Sequence, residues 1–399
     1  MTTSPHIVIA GAGIGGLTAA LALLRAGFDV TVCEQAAVLG EVGAGVQISA
    51  NGTRVLHALG LAQALERIAW QPEGKAIRLW DTGESWPLFD LGAESVARYG
   101  FPYHMYHRAD LHGLLVEAVR AVKPDAIRLN ARAAGVDQDA GGAALVLGDG
   151  SVVRGDAVIG ADGIHSVVRE ALFGPDEPAD TGCMAWRGIV PAERLPQGRF
   201  PPVGTNWIGP GGHVVHYYLR DRALMNVVAV REDGDWREES WSTIGRIADC
   251  LADFEGWHED VRMLLGLIDT PYKWALKTRQ PMARWSSGRI GLLGDACHAT
   301  LPFLAQGAVM AIEDGYMLAR SLSASGDDVS GALERLAAAR QERTAKIVHG
   351  SAANTQVFHH PMLASRDAAA GYIAETWNPE RVRERYDWLF TYDATTAPI

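Results

Sequence analysis

The chain reads as an α/β protein: a Rossmann-like nucleotide-binding unit, interleaved with a β-sheet domain and followed by a helical tail. Three observations predict this. Residues 6–34 run strand, glycine turn, helix, strand. Around 74–104, and again from about 180 to 275, the pattern shifts to strand-like alternation rich in Trp and Tyr. Residues 289–322 then return to strand, glycine turn and long helix. A length of 399 residues leaves room for two or three domains, with a core large enough to need no disulfide staples.

Each element has its own justification. HIVIAG is rich in β-branched residues, TAALALLRAG is made of good helix formers stopped by Gly27, and DVTVCE is a second strand. Residues 110–122, DLHGLLVEAVRAV, have the spacing of an amphipathic helix with Asp110 as N-cap. Asp149-Gly150 marks a hairpin between AALVL and SVVRG. HVVHYYL and LMNVVAV alternate among Trp186, Trp207, Trp236, Trp241, Trp257 and Trp274, which reads as a separate sheet layer. RIGLLGDA and AVMAIEDGYMLARSL form the returning strand and helix. The last stretch, with Tyr386, Trp388 and Phe390, reads as helices docked on the body.

Composition narrows the function. The formal charge is −11, from 36 basic and 47 acidic residues, and nucleic-acid affinity rests on phosphate neutralisation by Lys and Arg, so a nucleic-acid partner is excluded. Four scattered cysteines form no CxxC pair and suit a reducing cytoplasm. The apolar start IVIAGAGIGGLTAALALLRAG has no basic flank and is crowded with glycine, so it reads as neither a signal peptide nor a membrane span. His359-His360 lacks a third ligand and reads as a surface turn before Pro361, leaving no metal site. No GxSxG nucleophile elbow is present.

The strongest local signal is Gly11-Ala12-Gly13-Ile14-Gly15-Gly16, between strand and helix. Gly11 permits the turn, Gly13 lets backbone N–H groups approach a pyrophosphate, and Gly16 allows close packing. The helix N-terminus adds partial positive charge. Glu34 and Gln35 close the second strand roughly 20 residues on, where a carboxylate accepts bonds from ribose hydroxyls. This motif alone does not separate NAD from FAD.

Two further segments do. Asp162-Gly163-Ile164-His165-Ser166-Val167-Val168-Arg169 follows the strand DAVIGA, and Gly294-Asp295 follows RIGLL. With the first motif they form, in order, GxGxxG, DGxxSxxR and GD, and the whole chain resembles the single-component FAD-dependent aromatic-ring hydroxylases. That resemblance implies an FAD-dependent monooxygenase that takes hydride from NAD(P)H, activates O2 as a flavin C4a-hydroperoxide and hydroxylates a small aromatic. It implies that Glu34 holds the adenosine ribose, that Arg108 of HRADL contacts FAD, and that Asp295 bonds a ribitol hydroxyl. Asp162 and Gly163 would serve flavin and nicotinamide, Gly307 and Ala308 would face the flavin pyrimidine, and Gln47 would lie over the ring system. From residues alone, Asp162 also suits a type I turn, Asp295 an N-cap, and Arg108–Asp110 an ion pair. The lack of a second GxGxxG fits the family, which has no separate nicotinamide domain, and the halogenase segment WxWxIP is absent. The changes of pattern along the chain give an interleaved layout, with 1–73, 103–178 and 272–345 assigned to FAD, 74–102 and 179–271 to substrate, and 346–399 to a helical segment. A cytoplasmic enzyme is expected, with a homodimer left open.

In Gly212-His213-Val214-Val215-His216-Tyr217-Tyr218, alternation puts His213, Val215 and Tyr217 on one strand face. His213 and Tyr217 resemble pocket residues of the 3-hydroxybenzoate and 6-hydroxynicotinate hydroxylases, and histidine suits deprotonation of a phenol of pKa near 10. Pro302, Phe303 and Leu304 should line the face where oxygen reacts. The expected substrates are 3-hydroxybenzoate or salicylate, with a decarboxylating 6-hydroxynicotinate-type reaction or a non-hydroxylating flavin oxidoreductase as alternatives. No arginine is clearly placed for a substrate carboxylate.

Overall fold

The computed structural model describes residues 4–40, 44–232 and 243–399; Trp236 and Trp241 lie outside them. Two sheets dominate. The first has six strands in the order Ser286–Ser287, Ile290–Leu292, Ala157–Gly160, His6–Ala10, Asp29–Cys33, Ile127–Arg128. All pairs but the outermost Ser286–Ser287 are parallel. Parallel strands need covering on both faces, and Ile7 and Ile9 indeed pack on one side with the helices Ile14–Arg25 and Arg108–Val122, while Val8 packs on the other with Leu145 and Trp285.

The second sheet has seven strands in the order Tyr272–Thr278, Ala179–Pro191, Leu224–Glu232, Gly212–Leu219, Val203–Gly209, Gly74–Leu79, Ser85–Asp90. All pairs are antiparallel except Val203–Gly209 with Gly74–Leu79. Trp186, Trp207, Trp257 and Trp274 are buried in its core. Chain segments cross between the two sheets: Gly45–Ile48 pairs with His104–His107, and the Gly45 N–H donates to Asn226 Oδ1 of the large sheet at 2.8 Å.

Three expected boundaries move. The division at 272 falls where Tyr272–Thr278 adds an edge strand to the large sheet, because residues 272–278 alternate in register with 179–187. The division at 345 cuts a single helix, Val329–Phe358, whose sequence holds no proline before Pro361. The helix expected from Asp110 begins at Arg108 with His107 as its N-cap residue. Asp110 sits in its first turn instead, where it accepts two bonds from Arg220, at 2.7 and 2.8 Å. The tail folds as helices Arg366–Thr376 and Pro379–Phe390, and Phe390 packs edge-on against Tyr99 and Tyr103. None of the described helices is long and apolar enough to cross a membrane.

Candidate active site

The glycine turn is built as its residues require. Gly11 has φ +102°, and a Cβ there would sit 2.5 Å from the Ala161 carbonyl oxygen. A Cβ at Gly15 would press on Ala311 of the helix Gly307–Ser323, and one at Gly16 on the Gly11 carbonyl, so these two glycines set the packing. Gly13, by contrast, has nothing within 4 Å of its Cβ position. It is the N-cap residue of a helix that begins at the buried Ile14 and has neither a side-chain cap nor an acid in its first turn. Those free N–H groups form an anion site.

Beside it lies a hollow of about 140 Å³ lined by Gly13, Glu34, Val38, Leu39 and His112 among others. Glu34 accepts from the Ala12 and Ala36 N–H groups at 2.8 and 2.9 Å, which fixes its carboxylate and leaves lone pairs over for hydroxyl donors. Gln35 is exposed at the rim. Val38, 76% exposed, offers an apolar surface for a flat ring. His112, which sequence reasoning missed, hydrogen-bonds the Ala12 carbonyl at 2.7 Å and holds the turn from beneath. Arg108 is half-buried, and its backbone N–H donates to the Ala44 carbonyl at 2.8 Å.

The DG segment divides its labour. Asp162 accepts from Ser166 Oγ at 2.5 Å and from the Val168 N–H at 3.2 Å, so its carboxylate is committed to the turn. Ser166 caps the next helix, and Arg169 donates to the carbonyls of Ile164 and Ala296, tying this segment to the GD segment. Gly163 faces open space. Asp295 is exposed although Gly294 and Ala296 on either side are buried, so its carboxylate remains open to a hydroxyl donor. The helix starting at Gly307 and Ala308 is likewise uncapped by any side chain. It is preceded by Ala305 in the left-handed region at φ 54°, a strained residue of the kind found at functional sites.

A buried ionic cluster that sequence reasoning missed supports both segments. Asp314 accepts from the Gly294 N–H at 3.1 Å and from Arg340 Nε at 2.7 Å, and pairs with His298 at 2.5 Å. Glu313 pairs with Arg340 at 2.6 Å and Arg343 at 2.9 Å, and accepts from Asn51 at 2.7 Å. Asn51 and Ser49 hold Gln306, the residue before Gly307, at 3.2 and 2.9 Å. Burial pushes the Asp314 carboxyl up, but His298 and Arg340 outweigh it and hold it at about 2.

The large sheet presents His213 and Tyr217 on one face, both buried. The Phe303 ring stands edge-on to His213 at 4.7 Å, Phe358 lies at 5.1 Å, and Gly45 packs directly on the Tyr217 hydroxyl. Leu304 is buried beside Phe303, while Pro302 is exposed. His359, read from sequence as part of a surface turn, is buried: its Nε2 lies 2.7 Å from His213 Nδ1. The long helix carries it inward to the sheet before Pro361 ends the path. Gln47 accepts from Tyr103 Oη at 2.7 Å and reaches the Tyr217 hydroxyl, and Lys75 Nζ donates to Tyr103 at 2.9 Å. Arg187 is buried on the same face, its guanidinium over Trp274 at 4.8 Å, and its charge bears on Tyr217. Thus the cations that sequence did not place are Lys75, two strands to one side of Tyr217, and Arg187, two strands to the other.

Burial holds His213 well below 6.5, and brings His104 to about 4 and His216 to about 3. All three are neutral in the folded protein at pH 7, and all regain their ordinary pKa on unfolding. Below about pH 6.5 the unfolded chain therefore binds more protons. Stability, full above that pH, should fall toward pH 4 by about 1.4 kcal/mol per unit for each histidine. Urea titrations at pH 7.5, 6 and 5 check the trend.

Residues 5–351 match the family described as FAD binding domain. The 3-amino-4-hydroxybenzoate 2-monooxygenase of Streptomyces platensis is 39% identical over 399 residues, covering 100% of this chain and 98% of its own. The chain belongs to the FAD-dependent aromatic hydroxylases. The 3-hydroxybenzoate 6-hydroxylase of Polaromonas naphthalenivorans is 34% identical over 391 residues, covering 97% of this chain and 96% of its own. HpxO of Klebsiella pneumoniae, complexed with FAD and uric acid, has the same fold, with a TM-score of 0.83 at 25% identity over 99% of this chain and 97% of its own. The enzyme is an FAD-dependent aromatic monooxygenase, and its own residues fit that cofactor: two uncapped helix N-termini, the Glu34 hollow, and open approaches at Gly13, Gly163 and Asp295.

Proposed function

We propose that the enzyme uses NAD(P)H and O2 to hydroxylate a small phenolic aromatic acid of the 3-hydroxybenzoate or salicylate kind. The observation that carries this reading is His213, a buried neutral imidazole whose Nδ1 is engaged and whose Nε2 has no hydrogen-bond partner among the described residues. In this reading the six-stranded sheet carries the cofactor and the seven-stranded sheet the substrate. Bound FAD supplies the reduced flavin and the activated oxygen. The chain supplies the rest. His213 takes the phenol proton, which pushes electron density into the ring. Phe303, Phe358 and Leu304 keep the site dry.

The carboxylate belongs at the Tyr217 end, where Gln47, Tyr103 and Lys75 form a polar row. Burial pulls Lys75 down to about 7, and an anionic ligand beside it restores the charge. The two relatives named above are both named for hydroxybenzoates, ring acids with a phenolic hydroxyl, which supports the same class here. Lys75→Met should raise KM for a hydroxybenzoate roughly tenfold, the worth of one charged hydrogen bond, and move KM for the matching neutral phenol less than about twofold. Steady-state kinetics on the acid and neutral pair check this.

The deciding experiment is a panel of 3-hydroxybenzoate, salicylate, 3-amino-4-hydroxybenzoate and 6-hydroxynicotinate, scored by stimulated NAD(P)H oxidation and product mass. One oxygen gained per nicotinamide oxidised supports hydroxylation, and a lost carboxyl marks the decarboxylating variant. Peroxide release with no oxygenated product from any of the four sinks the reading.

A further inference from the structure

A chain of hydrogen bonds leaves the substrate face and ends in solvent. His213 Nδ1 lies 2.7 Å from His359 Nε2, and His359 Nδ1 lies 2.8 Å from Glu232 Oε1. The His359 side chain is 1% exposed and that of Glu232 is 48% exposed. The path thus spans the distance from a closed site to water in two links. We propose that His213, His359 and Glu232 form a proton exit that carries the phenol proton from the site to the surface, an inference that rests on the phenol reading above.

The polarity of the chain follows from its last member. A carboxylate only accepts, so His359 Nδ1 carries the hydrogen and its Nε2 accepts. His213 Nδ1 must then carry a hydrogen too, which leaves the Nε2 lone pair of His213 facing the ring. Glu232 in this way sets the tautomer of a base two residues removed from it, as second partners of functional histidines do. In the transfer, the phenol O–H breaks as His213 Nε2–H forms. His213 Nδ1–H passes to His359 Nε2, and His359 Nδ1–H passes to Glu232, which releases it to water. No charge accumulates on either buried ring. When the proton returns along the same route to the product, the tautomers reset.

Few other groups bear on the relay. Phe303 and Phe358 pack on His213, Phe303 also faces His359, and Cys183 stands opposite Glu232 on the neighbouring strand. Burial draws His359 down and Glu232 offsets part of that, while burial holds His213 well below its ordinary value, so both rings rest neutral between transfers. His359 and Glu232 are positioning residues, since neither touches the substrate in this scheme.

The test uses the full-length FAD-loaded enzyme and 3-hydroxybenzoate, whose phenol stays protonated in solution up to about pH 9 and whose phenolate has its own ultraviolet band. Stopped-flow absorbance follows its deprotonation on binding, and an indicator dye follows proton release, across pH 6 to 9. Glu232→Gln and His359→Phe should each slow proton release roughly tenfold or more at neutral pH, with Kd and FAD content changed less than about twofold. Added imidazole should restore the rate in His359→Ala. Unchanged release rates and pH profiles in Glu232→Gln and His359→Phe, with normal binding, overturn the relay and leave the hydroxylase reading intact. Failure of the parent enzyme to bind or ionise any phenolic acid overturns both.

Discussion

His213→Ala lowers hydroxylation by about 10²–10⁴-fold at pH 7, the span expected when a positioned general base is removed. FAD content should stay near that of the parent, because the groups that fit the cofactor stand on other elements: the Gly11–Gly16 turn, Glu34, Gly163, Asp295 and the Gly307 helix start. Activity should return as the pH approaches the pKa of the substrate phenol, near 10, where the ring ionises without help. The parent should lack that steep rise, since a buried His213 held well below 6.5 is already unprotonated at neutral pH. Alanine also opens a cavity among Phe303, Phe358 and His359. His213→Asn therefore serves as the second variant, keeping an amide toward His359 while removing the base. If either variant loses FAD in proportion to activity, or if the high-pH recovery is missing, His213 is structural and the base lies elsewhere.

Much of this site was legible in sequence because its parts obey local rules. The glycine turn, Glu34 and the alternation of the His213 strand depend on short-range geometry, which is written in spacing, whereas the DG and GD segments point to a cofactor only through the family resemblance. What escaped was long-range. His359 looked like a turn residue because a His-His-Pro sequence says nothing of the sheet it reaches, 146 residues back along the chain. Lys75 and Arg187 flank Tyr217 only after the strands are ordered, and strand order is not local. Arg187 did leave one trace, a lone cation in the otherwise apolar run MAWRGIV, where a buried strand has no ordinary use for one. Asp110 shows the opposite error: an acid at a helix start suggests its cap, and the structure uses it within the first turn to hold Arg220. The expected boundaries at 272 and 345 failed for a related reason. Composition changes at the surface of a domain, while a strand or helix ends only where its own hydrogen bonds do.

Arg340→Met should cost about 3–5 kcal/mol, the penalty for removing one partner of a fully buried ionic group. Arg340, Glu313 and Asp314 are all 0% exposed, so neither carboxylate can turn to water when the guanidinium is gone. Arg343 still neutralises Glu313, but Asp314 is left with His298 alone. For a chain of this size the unfolding entropy is about 0.8 kcal/mol per kelvin, so the melting midpoint should drop by roughly 4–6 °C. The damage should also reach the cofactor. Asp314 holds the Gly294 backbone next to Asp295, and Glu313 acts through Asn51 on Gln306, next to Gly307. Loosening this one cluster therefore disturbs two of the segments we propose to face FAD, and FAD retention after gel filtration should fall together with the midpoint. Arg340→Lys separates charge from shape: it keeps a cation but cannot reach both carboxylates with a planar fork, so its loss should be intermediate. The decisive control is the double variant Arg340→Met, Asp314→Asn, which keeps the Glu313–Arg343 pair intact. Removing the Asp314 charge together with that of Arg340 abolishes the uncompensated burial, and most of the lost stability should return. FAD retention need not return with it, because the amide that replaces Asp314 holds the Gly294 N–H less tightly than the carboxylate does. A single Arg340→Met variant with the parental midpoint would show that the cluster contributes nothing net to the fold.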